Sequence, residues 1–260
     1  MRFGTFGNKS NKSIMLLPGT CSTWRTTFDK LAPELESDYY VICVDYDGFD
    51  HTDSDFVSML DVTEKLEAYI LTELGGKIDM AFGASMGGSF VGLLVQRKKI
   101  HIGSAVLGST DLDQSTGLPA RIQAKLVADI FCAVLKHPKL LAPALKLADM
   151  KMGMGSSVEF SDYMRGFMKE MSFIKKKNLY RQFLSDLETP LENGIDVEGT
   201  TVHILYTDKM SEKLLERYDK HFKNPIIHRY HAGHGDFVFL NGQEQKKMIL
   251  DCFDEGRMKC

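Results

Sequence analysis

The sequence predicts an α/β protein, with a mostly parallel central sheet covered by helices on both faces and a helical insertion between two of its strands. Three observations carry this reading. Short apolar runs alternate with helical patterns through the first half of the chain, as βαβ units require. From about residue 111 to 197 no strand-like run occurs, and strand patterns then resume. The chain has 260 residues, 43% of them hydrophobic, enough to bury a full core without disulfide or metal staples.

Ile14-Met15-Leu16-Leu17 reads as the first strand and stops at Pro18-Gly19. A helix is expected over about 23–35, followed by the strand Tyr39-Tyr40-Val41-Ile42-Cys43-Val44. Residues 58–74 place Leu60, Val62, Leu66, Tyr69, Ile70 and Leu74 at helical spacing. Ile78-Asp79-Met80-Ala81-Phe82 is the next strand, a small-residue helix follows, and 102–107 reads as another strand. Helical segments rich in Met, Lys and Leu then cover 118–137, 140–150 and 163–187. Strands return at 201–206 and 225–230, and a last helix is expected over about 243–253. The expected organisation is a core of 1–111 and 198–260 with a helical cap, 112–197, inserted over the sheet's carboxyl edge, where ligands of open α/β sheets bind.

Gly83-Ala84-Ser85-Met86-Gly87 is the only G-x-S-x-G in the chain. A strand before it and a helix after it make it a nucleophile elbow, a strained turn that lifts the serine hydroxyl clear of the sheet. The flanking glycines remove clashes with neighbouring backbone and tolerate the strain. The helix aims its first N–H groups at the space before the hydroxyl, where an oxyanion could be held. A serine hydroxyl also needs a hydrogen-bonded base near neutral pKa, and imidazole is the natural one. Among eight histidines, His234 lies between small residues in a tight loop at a strand's carboxyl end. His51, His101, His137, His203, His221 and His228 read as structural or solvent-facing, and His231 as part of the strand tail.

With these features in place, the chain resembles the α/β-hydrolase superfamily over nearly its whole length. Leu16-Leu17-Pro18-Gly19-Thr20, with Trp24 after it, is similar to the loop that supplies half of an oxyanion hole. Asp45-Tyr46-Asp47-Gly48 resembles the Asp-x-x-Gly turn, Gly83–Gly88 the elbow, and His231-Ala232-Gly233-His234-Gly235-Asp236 the loop of the catalytic histidine. The resemblance implies Ser85 as nucleophile, His234 as general base, and an oxyanion hole from the backbone N–H groups of Thr20 and Met86. Pro18 stands where many members have histidine, which leaves the Thr20 N–H intact. A serine at the elbow excludes the aspartate-nucleophile branches.

The acid is the open element. In the family it usually follows the penultimate strand, and Met210 occupies the position where it would align. Asp208 is the nearest carboxylate and is the expected partner of His234. Asp111 and Asp113, after the strand that follows the elbow helix, and Glu212 are the alternatives.

The net charge of −3 gives no basic footprint for nucleic acid. Apolar stretches are too short to span a bilayer, and the N-terminus has no apolar h-region of a secretory signal. Cys21, Cys43, Cys132, Cys252 and Cys260 show no C-x-x-C or Cys/His cluster in sequence, which argues against a disulfide framework and structural zinc and suits a reducing cytoplasm. Asp45, Asp47, Asp50, Asp53 and Asp55 depart from the EF-hand pattern and read as a solvated loop with turn-forming aspartates. The cap methionines (Met150, Met152, Met154, Met164, Met168 and Met171) read mostly as core.

The reading is a cytoplasmic serine hydrolase acting through an acyl-enzyme on a carboxylic ester or thioester of a small to medium apolar acyl compound. It expects no cofactor, no metal, no nucleic-acid partner and no integral membrane association, and leaves a homodimer open. C–C bond hydrolysis, acyl transfer on the same residues, or a non-catalytic ligand-binding protein of this fold are the rival readings.

Overall fold

A computed structural model describes residues 1–140, 143, 146, 158–234 and 236–255. Its centre is a seven-stranded sheet in the order β1-β3-β2-β4-β5-β6-β7. These are β1 (Arg2–Phe6), β2 (Ser13–Leu17), β3 (Tyr40–Asp45), β4 (Lys77–Ala84), β5 (His101–Gly108), β6 (Thr201–Thr207) and β7 (Ile226–Tyr230). All neighbouring pairs are parallel except β1, which runs antiparallel to β3 at one edge.

Side chains along these strands divide between two apolar layers. Met15, Leu17, Ile42, Val44, Ala81 and Leu107 pack on one face. Ile14, Leu16, Val41, Cys43, Phe82 and Val106 pack on the other. A strand buried on both faces has no polar position to alternate with, which is why the sequence shows continuous apolar runs there. α3 (Met59–Leu74) and α4 (Met86–Arg97) cover the first face. α1 (Trp24–Phe28), α2 (Leu31–Leu35) and the last helix, α9 (Gly242–Glu255), cover the second.

Between β5 and β6 lie α5 (Gly117–Lys136), α6 (Val158–Glu170) and α7 (Lys176–Glu188), and α5 packs along α7. Phe167, Met168, Met171 and Leu179 from this insertion join the same apolar layer as α3 and α4. The helix expected over 140–150, with Met150, Met152 and Met154, lies outside the described residues except at positions 140, 143 and 146.

Several expected elements differ in detail. The helix expected over 23–35 is two short helices, α1 and α2, separated by a turn at Asp29-Lys30. Pro33 accounts for the break: it has no N–H to give Asp29, and its ring would clash with that carbonyl in a continuous helix. The helix expected over 163–187 is also divided, by a 3-10 turn at Met171–Phe173 and an extended Ile174. Two elements had no expectation. β1 is a short edge strand with no apolar run, and α8 (Lys213–His221) is a nine-residue charged helix burying only Leu214, Tyr218 and His221. Among the described residues no helix is long and apolar enough to cross a membrane.

One polar clamp ties α3 to α4 beneath the sheet. The Arg97 guanidinium donates to both Glu67 oxygens, at 2.6 and 3.0 Å, and Glu67 is only 3% exposed. Arg97→Ala would strand a buried carboxylate, so a loss of about 3–5 kcal/mol is expected in chemical denaturation. The double change Glu67→Leu/Arg97→Leu should recover most of it, since no unpaired charge remains.

Candidate functional site

Ser85 joins β4 to α4 and has φ 53° and ψ −122°, a backbone conformation that side-chain-bearing residues avoid. The surroundings enforce it. Ser85 N donates to the Gly108 carbonyl at 2.7 Å, and the Ser85 carbonyl accepts from Gly88 N and from Thr110 Oγ1, each at 2.9 Å. The glycine frame leaves no alternative residue: a Cβ on Gly83 would fall 2.1 Å from the Gly87 carbonyl, and one on Gly87 2.1 Å from Leu17 O. The turn therefore projects Ser85 from the carboxyl edge of the sheet into a cavity of about 800 Å³.

His234, in the loop after β7, places Nε2 3.0 Å from Ser85 Oγ. The residue is half-buried, and desolvation of the ring lowers its pKa from the ordinary histidine value; the charge of Asp111 opposes that effect in part. A neutral imidazole facing a serine hydroxyl is the arrangement a general base needs. Its other nitrogen, Nδ1, is buried and makes no hydrogen bond to a described residue.

Asp208 does not make the contact expected of it. Its carboxylate accepts from Nδ1 of His231 at 2.9 Å, and His231 is 85% exposed. The reason lies in the backbone. Asp208 N donates to Tyr230 O and Lys209 N to Ala232 O, so the chain beyond β6 still runs beside the end of β7 and meets His231 before His234. Met210, at the position the family's acid would take, is an almost fully buried apolar side chain.

Three of the carboxylates that line the cavity come from the other side. Asp111 and Asp113 follow β5, and Asp186 comes down from α7. The loop that carries Asp111 is propped by α8: Arg217 donates to Asp111 O at 2.8 Å and pairs with Asp113 at 3.3 Å, while the Tyr218 hydroxyl donates to Thr110 O. Burial, together with the charges of Asp111 and Asp113 and against a hydrogen bond with Ser89, pushes the Asp186 carboxyl up to about 8. At neutral pH this group is therefore predominantly protonated. Glu212, the remaining alternative acid, lies exposed at the start of α8.

Thr20 and Met86 both border the cavity beside Ser85. The Gly19 loop lies so close that a Cβ there would sit 3.3 Å from Ser85 Cβ. Pro18 O accepts from the buried Tyr46 hydroxyl at 3.0 Å, and Cys21 N donates to Gln182 Oε1 of α7 at 2.8 Å. Cys21 is fully buried, and burial drives its thiol well above the ordinary range, so it stays protonated. Apolar side chains from the insertion, among them Val127, Phe131, Met164, Phe167 and Phe183, cover the cavity.

Sequence reasoning missed Gln182 and Asp186. Their signal is a pair of polar residues four apart on the helix stripe that also holds Leu179 and Leu187, the side that faces inward. It also misjudged the aspartate loop. Asp45, Asp47 and Asp50 are buried, Asp50 accepting from Thr52 and Ser54, and only Asp53 and Asp55 form surface pairs, with Lys175 and Lys177.

Residues 14–245 match the model of the alpha/beta hydrolase family, and the chain belongs to that family. No curated protein matches it by sequence search. Among solved structures it is similar to a protein assigned to the alpha/beta hydrolase family from Desulfitobacterium hafniense, at 19% identity and a TM-score of 0.77, covering 96% of this chain and 99% of that one. MenH from S. aureus has 20% identity and a TM-score of 0.70, with 98% of each chain covered. The enol-lactonase from Burkholderia xenovorans has 12% identity and a TM-score of 0.70, with 97% of this chain and 96% of that one covered.

Asp186 allows a test of the electrostatics. Its folded-state pKa is raised above the unfolded value, so the unfolded chain loses the proton first and the group costs stability increasingly as pH rises from about 4 to about 8. Asp186→Asn should therefore raise the melting temperature at pH 8 by a few degrees, about 2–4 °C per kcal/mol for a chain of this size. At pH 5 the gain should shrink, and a gain equal at both values would contradict the assignment.

Proposed function

We propose that this protein is a serine hydrolase that cleaves a carboxylic ester or thioester of a small to medium apolar acyl compound through an acyl-enzyme. The observation that carries the reading is the 3.0 Å contact between Ser85 Oγ and His234 Nε2 at the floor of an apolar cavity. Ser85 attacks the carbonyl carbon while His234 takes its proton. The N–H groups of Thr20 and Met86 are the donors for the oxyanion. The imidazolium then protonates the leaving alkoxide or thiolate, and water, deprotonated by the same ring, releases the acid. The insertion, residues 112–197, acts as the cap: its Phe131, Met164 and Phe183 set the size and apolar character of the acyl group admitted. None of these steps calls on a metal or an organic cofactor.

In this mechanism Asp111, in place of Asp208, stabilises the imidazolium. Its charge favours the protonated ring of His234 against the larger effect of burial, and it lines the same cavity from the loop after the strand that follows the elbow helix. Asp208 serves the exposed His231.

Labelling with a fluorophosphonate tests the nucleophile. Rapid labelling of the native protein, lost in Ser85→Ala together with roughly a thousandfold or more of p-nitrophenyl ester hydrolysis, is the expected result. A folded protein that stays unlabelled would favour a ligand-binding role for this cavity.

The acid is tested by the pH dependence of kcat/KM. Activity should rise through a single midpoint below 6.5, because burial lowers the His234 pKa, and should then level off. Asp111→Asn should move that midpoint to lower pH, by removing the charge that favours imidazolium, and should reduce the plateau at least tenfold. Asp208→Asn should change neither. A large loss from Asp208→Asn with none from Asp111→Asn would return the role to Asp208.

A further inference from the structure

Away from the catalytic pair, two histidines and a cysteine meet between the sheet and its last helix. His203 is the third residue of β6, His228 the third of β7, and Cys252 faces them from α9. His203 and Cys252 are 0% exposed and His228 is partly buried. His203 Nδ1 lies 3.0 Å from His228 Nε2, and Cys252 Sγ lies 3.8 Å from that same nitrogen. The three donor atoms all fall within 4.8 Å of one another. No sequence motif announces them, because they come from three separate elements 24 and 25 positions apart.

We propose that His203, His228 and Cys252 form a binding site for a divalent transition metal, with Zn²⁺ the best match, separate from the hydrolytic centre. Tetrahedral zinc binds imidazole nitrogen at about 2.0–2.1 Å and thiolate sulfur at about 2.3 Å, which sets donor atoms roughly 3.3–3.7 Å apart. The spacings of 3.0 and 3.8 Å lie within a few tenths of an ångström of that range, and the third pair lies within 4.8 Å. Two imidazoles and one thiolate are borderline-soft donors, which select zinc over calcium or magnesium.

The binding step balances with one proton. The Cys252 S–H bond breaks, the sulfur–metal bond forms, and the proton goes to solvent. Both imidazoles bind as neutral rings and carry their hydrogen on the nitrogen that faces away, Nε2 of His203 and Nδ1 of His228. Affinity therefore falls as pH falls. The bound ion would pin β6, β7 and α9 to one another, and the loop bearing His234 joins the last two. A simple imidazole–imidazole hydrogen bond beside a buried thiol is the competing account, and it takes up no metal.

The test uses the full chain, stripped with a chelator and titrated separately with Zn²⁺ and Co²⁺. Expected are one equivalent of zinc by elemental analysis, a melting temperature several degrees higher with zinc than without, and a cobalt spectrum with a thiolate charge-transfer band and intense tetrahedral bands. Cys252→Ser should abolish the charge-transfer band, and His228→Asn, at the more exposed position, should weaken zinc binding at least tenfold. If Cys252→Ser fails to fold, His228→Asn and the native titration carry the same decision. Sub-stoichiometric zinc, an unchanged melting temperature, or undiminished zinc binding by His228→Asn would each overturn the site, as would a thiolate band that survives in folded Cys252→Ser. Fluorophosphonate labelling of Ser85 is independent of these readouts, so failure here leaves the hydrolytic assignment standing.

Discussion

The backbone at Ser85 is the constraint from which the rest of the active edge follows. A serine at φ 53° persists only where its neighbours over-determine it. Here the β5 carbonyl of Gly108, the Thr110 hydroxyl and the approach of Leu17 and Gly87 all act on one turn. Apart from Gly87, which lies in the first turn of α4, each of those groups belongs to a strand adjacent to β4 or to the loop that leaves it. The sheet order β2-β4-β5 is thus what makes the turn hold, and the turn in turn decides where α4 starts and where its first N–H groups point.

Charge in the cavity is arranged by burial more than by ion pairs. His234 is held neutral by desolvation, while Asp186 is held protonated by desolvation and by two neighbouring carboxylates. Arg217 takes up part of the charge of Asp113 and holds the Asp111 backbone, so of the three acids Asp111 is the one whose charge bears on the histidine. The small helix α8 contributes nothing to the cavity wall, yet it fixes the acid loop in place. The placement of the Asp111 charge therefore depends on Arg217 and Tyr218, which lie some hundred residues later in the chain than the loop they support.

Much of the sheet was legible because its strands are buried on both faces and cannot disguise themselves. Leu16, Val41, Phe82 and Val106 stand in apolar runs that no other element would need. Ser85 and His234 were legible because strained, glycine-framed turns are chemically restricted. β1 and α8 were not, since an edge strand and a mostly exposed helix bury too few side chains to leave a pattern. The acid was not legible for a different reason. Asp208 lies in the expected stretch of sequence, but whether it meets His231 or His234 depends on two hydrogen bonds beyond the end of the β6–β7 ladder, from Asp208 N and Lys209 N. Sequence carries no trace of such a local registration. Gln182 and Asp186 left a trace, two polar residues on an inward stripe, but that pattern alone does not say what they touch.

The bond from Cys21 N to Gln182 Oε1 joins the cavity's roof to its chemistry. Gln182 sits on α7, whose Phe183 and Asp186 line the cavity, and Cys21 adjoins Thr20 beside Ser85. Any occupant that displaces α7 must therefore also displace the loop or break a buried hydrogen bond. Recognition and chemical competence then become one thermodynamic quantity: occupants that leave α7 at rest keep the loop set for reaction, and those that push it pay in turnover as well as in affinity. By linkage the converse also holds, so an occupant that fixes the Thr20–Cys21 loop should stiffen the roof above it.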